Sequence, residues 1–274
     1  MSYKTIVAII QNPSDITGLL EAVVPLASRL GSHLVGIHAE PLPAPMTSSL
    51  GFPDAEFVIT TGEINRKRAA ELEAAFKKRM DEAGLQFDWS AVESFSGDSA
   101  VAARAGARTA DLVVASEVHP NDLGPSADLD ALLYQTGRPV LLVPLAGLAA
   151  GPFRKVLVAW NGTAEAARAA FDALPFIMEA DETSVVTIDA GEDPERTGSR
   201  LAAALARHGA HVSVAELSSN GRAIADVLAD HVDLSGADLL VMGAYGHSRL
   251  REFLFGGVTR SVLRSMPVAT FMSR

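Results

Sequence analysis

The stretch GADLLVMGAYGHSRLREFLFGG, residues 236–257, runs from a short apolar segment into four glycines: Gly243, Gly246, Gly256 and Gly257. The apolar segment does not alternate with polar residues. It therefore reads as a strand buried on both faces, of the kind found in parallel sheets. Its first eight residues, GADLLVMG, have a counterpart 127 positions earlier in TADLVVAS, residues 109–116. Working outward, YKTIVAII (3–10) matches RKVLVAWN (154–161), and GRPVLLVP (137–144) matches SMPVATFM (265–272). The segments keep the same order in both halves, so one unit is duplicated. The Gly/Ala/Pro stretch LAGLAAGPF, residues 145–153, suits a linker. This divides the chain into domains 1–145 and 152–274.

Each half reads as five strands alternating with amphipathic helices. In the second half the strands fall near 155–160, 183–189, 210–216, 237–242 and 267–272. The fold class is thus α/β: two tandem, doubly wound, parallel five-stranded sheets, Rossmann-like in architecture. The first half carries an insertion, residues 41–62, rich in Pro and Ser, before a helix expected from Glu63. It reads as a surface excursion, with a lid as the functional alternative.

Bulk properties exclude several classes. The 274 residues suffice for two domains, and 48% hydrophobic with 20% charged residues describes a folded chain. A net charge of −10 argues against nucleic acid and anionic membrane as partners. With no cysteine, thiol catalysis and Cys-based zinc sites are excluded. No apolar run reaches 18 residues and the N-terminal one is too brief for a signal peptide, so a cytoplasmic location is expected.

Glycine at a strand end lets backbone amides approach an anion, and successive amides form a concave nest for phosphate oxygens. A helix starting near Gly256–Val258 adds unpaired N–H groups and the positive end of its dipole. The segment is neither a Walker A loop, which needs Gly-Lys-Ser/Thr, nor the dinucleotide fingerprint, whose spacing differs. His247, Ser248 and Arg249 lie between the glycines as further donors.

VMGAYGHSRLREFLFGGVTRSVLRSMPVATFM (241–272) resembles the universal stress protein family. That family's nucleotide motif is Gly, two residues, Gly, nine residues, Gly, then Ser or Thr. Gly243, Gly246 and Gly256 match; Gly257 stands where the hydroxyl residue belongs, with Thr259 nearby. The resemblance extends to KVLVAWNGTAEAARAA, where Asn161 replaces the usual Asp beside adenine. It implies a stress-response protein that binds ATP or ADP in its C-terminal domain, with Mg²⁺ as an optional companion. The implied site is Ala159, Trp160, Asn161, Ile188, Met242, Gly243, Gly246, His247, Gly256, Gly257, Val258 and Thr259. It also implies that the last strands, PVLLV (139–143) and PVATF (267–271), pair within the chain as a pseudo-dimer, with a further homodimer open.

The first half departs from this pattern. With Asp111 on Asp238, Ser116 falls on Gly243 and His119 on Gly246, and acids near Asp128 and Asp130 replace Gly256 and Gly257. Carboxylates there repel phosphates, and Leu129 adds bulk, so no ATP-type site is expected in residues 1–144. Asn12 or Asp15 are the groups that would approach a base there. No catalytic set is evident: His208 and His211 lack a third metal ligand, and no nucleophile elbow or paired carboxylates occur. A binding or signalling protein is expected. A slow ATPase, an interaction protein without nucleotide, and a sensor with a ligand in the first half remain alternatives.

Overall fold

The computed structural model describes residues 2–43, 55–118, 127–148, 151–191, 193, 195–245 and 257–274. The N-terminal half contains β1 (Thr5–Ile10), α1 (Ile16–Leu30), β2 (His33–Pro41), α2 (Ala55–Ala83), β3 (Phe87–Ser94), α3 (Ser99–Ala102), α4 (Arg104–Ala107), β4 (Leu112–Ser116), α5 (Leu129–Gln135) and β5 (Val140–Val143). The C-terminal half contains β6 (Lys155–Ala159), α6 (Ala164–Asp172), α7 (Leu174–Glu179), β7 (Glu182–Ile188), α8 (Ser199–Arg207), β8 (Val212–Leu217), α9 (Ile224–Ser235), β9 (Leu239–Gly243), α10 (Val258–Ser265) and β10 (Ala269–Ser273).

The two expected five-stranded sheets are present, and they are halves of one. Strand order is β3-β2-β1-β4-β5-β10-β9-β6-β7-β8. Among the described residues every pairing inside a half is parallel, and the single antiparallel pairing joins β5 to β10, with Leu141 opposite Phe271. This is the contact expected of the two apolar terminal strands. Left unpaired, each would be an exposed edge able to recruit another chain. Helices cover both faces. One apolar layer holds α1, α2, α6, α7 and α8 side chains such as Leu19, Phe76, Ala169, Phe176 and Leu201. The other holds α3, α4, α5, α9 and α10 side chains such as Ala100, Ala107, Leu132, Leu228 and Val262.

The halves begin with the same device. Asp111 Oδ2 accepts from the amides of Lys4 and Thr5 at 2.7 and 2.9 Å; Asp238 accepts from those of Arg154 and Lys155 at 2.8 and 3.0 Å. One carboxylate thus ties the start of each half's first strand to the start of its fourth. The match of Asp111 to Asp238 is structural, and it fixes the equivalences used below.

Two expectations need correction. The helix expected from Glu63 begins at Ala55, so Ala55–Gly62 of the 41–62 insertion is the first two turns of α2 rather than loop. Residues 44–54 lie outside the described residues. Strands alternating with helices imply one helix between the first two strands of the second half, but the run AEAARAAFDALPFI there divides at Ala173 into α6 and α7, because Pro175 lacks the amide that would continue the ladder. Among the described residues, no helix is long and apolar enough to cross a membrane.

Candidate functional site

In both halves the first and fourth strands are neighbours, and the chain leaves them in opposite directions. That makes the C-terminal ends of β1/β4 and of β6/β9 topological switch points, where open α/β sheets take ligands. The glycine segment leaves β9 at one of them.

Three turns shape the C-terminal crevice. Trp160 follows β6; its backbone amide donates to Val186 O at 2.8 Å and its Nε1 to Glu195 O at 2.9 Å. Gly162 has φ +81°, and a Cβ there would sit 3.1 Å from Glu195 O. Thr163 then caps α6: its Oγ1 accepts from Ala166 N at 3.3 Å and donates to Asn161 Oδ1 at 2.8 Å. Asn161 Oδ1 also accepts from Thr163 N at 3.2 Å. These bonds commit the amide oxygen of Asn161 to the turn.

Gly243 ends β9 directly beneath the first turn of α6. A Cβ would lie 2.5 Å from Ala166 N and 2.6 Å from the Glu165 carbonyl carbon. This first motif glycine therefore has a packing reason of its own. Beyond it, the Ala244 amide donates to Ser273 O at 2.8 Å. Tyr245 adopts φ +56° and its amide donates to Thr259 Oγ1 at 3.2 Å. Thr259, 3% exposed, lies in the first turn of α10. Helix α10 starts at Gly257, which supplies no side-chain acceptor to the first-turn amides. So the two flanks of the glycine segment, Tyr245 and Gly257–Thr259, are brought together.

Ala159, Ile188, Met242 and Val258 all pack on the same apolar layer, with Ala159 opposite Met242 in the ladder. Trp160 does not join them. Its side chain packs on the layer of the opposite face, because successive residues leaving a strand point to opposite sides. There it braces the Glu195 turn. Gly246, His247 and Gly256, with Ser248 and Arg249, lie outside the described residues, as does His119 of the first half.

The N-terminal switch point is furnished differently. The strand-start bonds set Lys4 on Arg154, one position along from the sequence match, so Gln11 is the counterpart of Asn161; it spends both ends of its amide internally, Nε2 donating to Gly97 O and Oε1 accepting from Ser99 N, each at 2.8 Å. Asp98 Oδ1 accepts from Ala100 N and Val101 N at 2.8 and 3.1 Å, and its Oδ2 from Asp128 N at 3.1 Å. Asp128 stands at the N-cap of α5, where α10 has Gly257, and accepts from Ala131 N at 2.9 Å. Asp128, one of the two acids read as repelling phosphate, is thus a helix cap that satisfies an amide from within. Leu129 is buried at the first position of α5. Asn12 and Asp15, the groups expected near a base, line a narrow cleft with Ser116, Glu117 and Ala127.

Farther along β2, His38 is fully buried, with Nδ1 2.8 Å from Ile10 O and Nε2 3.0 Å from Glu40 Oε1; Glu40 pairs with Arg68 of α2. Burial pushes the Glu40 carboxyl up, but hydrogen bonds from Arg68 and His38 outweigh it and hold the group below the ordinary carboxylate range.

Sequence reasoning passed over Tyr245, Thr163 and Gln11. Thr163 had a legible signal, since Asn-Gly-Thr before AEAARAA is a helix start. Gln11 had none, because its partners are 86 and 88 residues away.

Comparison with known proteins agrees with this geometry. Residues 152–274 match the model of the universal stress protein family. A universal stress protein from Archaeoglobus fulgidus DSM 4304 superposes with a TM-score of 0.75 at 15% identity, covering 100% of this chain and 97% of that one. A functionally unknown protein from Pseudomonas aeruginosa PAO1 gives 0.60 at 16% identity, covering 99% and 92%. No curated protein matches the chain.

Proposed function

We propose that this chain, whose residues 152–274 match the model of the universal stress protein family, binds ATP or ADP at the C-terminal switch point and acts in stress response as a binding or signalling protein. The observation that carries this reading is the contrast between two helix starts. Asp128 answers an amide of α5 from within the protein, whereas at α10 the N-cap is Gly257, which has no side chain to do so, behind a glycine segment; among the described residues no side-chain cap bond is made there. Such amides attract an external anion, and phosphate is the anion the glycine spacing suits.

The remaining groups fit a nucleotide. Ala159, Ile188, Met242 and Val258 supply an apolar side for a base. Asn161 Nδ2 would donate to an adenine ring nitrogen, since Asn161 Oδ1 is already taken by Thr163. Gly246 and Gly256 belong to the site by their place in the motif, and His247 by lying between them. Mg²⁺ would accompany a triphosphate. The N-terminal half is a degenerate partner without a nucleotide site.

The test is the nucleotide content of the purified full chain, released by heat and identified by chromatography and mass, for wild type and Gly246→Glu. The expected result is ATP or ADP near one equivalent in wild type and none in the variant. Wild type that arrives empty and gives no calorimetric signal with ATP and Mg²⁺ overturns the reading, leaving an interaction protein. An ATP:ADP ratio that falls on storage would add slow hydrolysis.

A further inference from the structure

Tyr245 is a tyrosine where the backbone favours glycine. Its φ of +56° lies in the left-handed region, which a bulky L-residue adopts only where the surroundings impose it. The surroundings here come from both halves of the chain. Its amide is held by Thr259, the second residue of α10, and its hydroxyl donates to Asp130 Oδ1, of the second residue of α5. Its ring packs on Tyr134 of α5, with centroids 4.5 Å apart and planes 30° from parallel. The Arg274 guanidinium lies 4.0 Å from the centroid of the Tyr134 ring. Tyr245 is 7% exposed.

Tyr245 therefore joins equivalent helix starts across the β5–β10 seam, and it does so immediately before Gly246. A glycine at 245 would reach the same backbone conformation without strain. The side chain is what fastens the entrance of the glycine segment to the other half. Asp130, which reads in the sequence as a phosphate-repelling acid, is committed to this contact.

We infer that Tyr245 is a positioning residue through which α5 of the N-terminal half sets the nucleotide affinity of the C-terminal half. This rests on the nucleotide reading above. Breaking the Tyr245–Asp130 bond releases the entrance of the glycine segment and weakens nucleotide binding. By linkage, nucleotide binding steadies α5, although α5 belongs to the half without a nucleotide site. The degenerate half is then a regulatory arm, and anything that displaces α5 lowers affinity at the other switch point.

The test uses the full chain and ATP with Mg²⁺, by calorimetry, for wild type, Tyr245→Phe, Asp130→Ala, the double variant and Asp130→Asn, with a melting curve for each. Amide hydrogen exchange over α5 is followed in wild type with and without ATP. The singles are expected to bind about tenfold more weakly, and the double no worse than either single. Asp130→Asn keeps an acceptor and should stay within about threefold of wild type. ATP should slow exchange in α5. Wild-type affinity in the singles, or losses that add in the double, overturns the inference, and so does α5 exchange that ignores ATP. The exchange measurement needs no substitution, so it decides the matter even if a variant fails to fold. Wild type that does not bind ATP brings down the nucleotide reading and this one with it, and that result is visible before any variant is compared.

Discussion

The ends of β1 and β6 occupy the same place in the same strand order, and the chain has done opposite things there. After β6, Asn161 commits its amide oxygen to Thr163. After β1, Gln11 reaches 86 residues along the chain and closes both ends of its amide on the turn before α3. At the helix starts that face them, Gly257 supplies no side-chain acceptor and Asp128 supplies a carboxylate. The N-terminal half has built a carboxylate into the helix start where, under the proposed function, the C-terminal half would take an anion from outside. The scaffold that Asp111 and Asp238 maintain is alike in both.

The largest expected effect that would break this comparison is at the strand ends. Gly243→Ala drives a Cβ into the backbone of α6 and should destabilise the chain by about 2–3 kcal/mol. Its counterpart Ser116→Ala should stay within about 0.5 kcal/mol. Denaturant unfolding of the two variants side by side measures this, and a tolerated Gly243→Ala would mean the glycine serves a ligand alone.

Next come the shared anchors. Asp111→Ala and Asp238→Ala each strip two strand-start amides of their acceptor and should cost about 1–2 kcal/mol apiece. Near-equal losses support two copies of one scaffold; a loss confined to one variant argues that only that half depends on the device.

The ligand-facing difference is smaller. Asn161→Ala should weaken ATP binding about five- to tenfold, through one lost hydrogen bond. Gln11→Ala should leave ATP affinity unchanged and lower the melting temperature instead. Calorimetry and melting curves on the same two proteins separate these effects, and an affinity loss at Gln11 would place a ligand in the wrong half.

The smallest effect concerns acid. Glu40 has a lowered folded-state pKa, so the stability it contributes is present above its unfolded value, about 4.3, and is lost as pH falls through the folded one. Below about pH 4 the N-terminal half should loosen first. Glu40→Gln should be less stable at neutral pH and show a shallower loss on acidification. Exchange of β2 and α2 amides against pH would reveal it, and an unchanged acid limb would rule Glu40 out.

What could be read without the fold was local. Unbroken Val/Leu/Ile runs announced buried parallel strands, and the repeated order of ADLLV and ADLVV announced two copies. Gly243 announced a strand end, and PVLLV with PVATF announced edges that need cover. Two local signals misled. The Pro/Ser-rich insertion hid the early start of α2 at Ala55, whose first turns bury no apolar face that a periodic pattern could reveal: Phe57 and Ile59 are exposed. Asp128 and Asp130 looked like charges facing a ligand, since charge is visible in a sequence and a hydrogen-bond partner is not.

The sequence by itself determined the strand content, the duplication, the covered edges and the place of the glycine segment. These depend on residue periodicity, glycine stereochemistry and burial, which act over a few neighbours. The tertiary structure decided which side chains meet: Trp160 with Glu195, Gln11 with Ser99, Asp128 with Asp98, Tyr245 with Asp130. Those contacts span 30 to 115 residues, and they follow from strand register and from the β5–β10 seam. A shift of one residue at that seam would turn every side chain of β10 to the other face, so no local pattern specifies them.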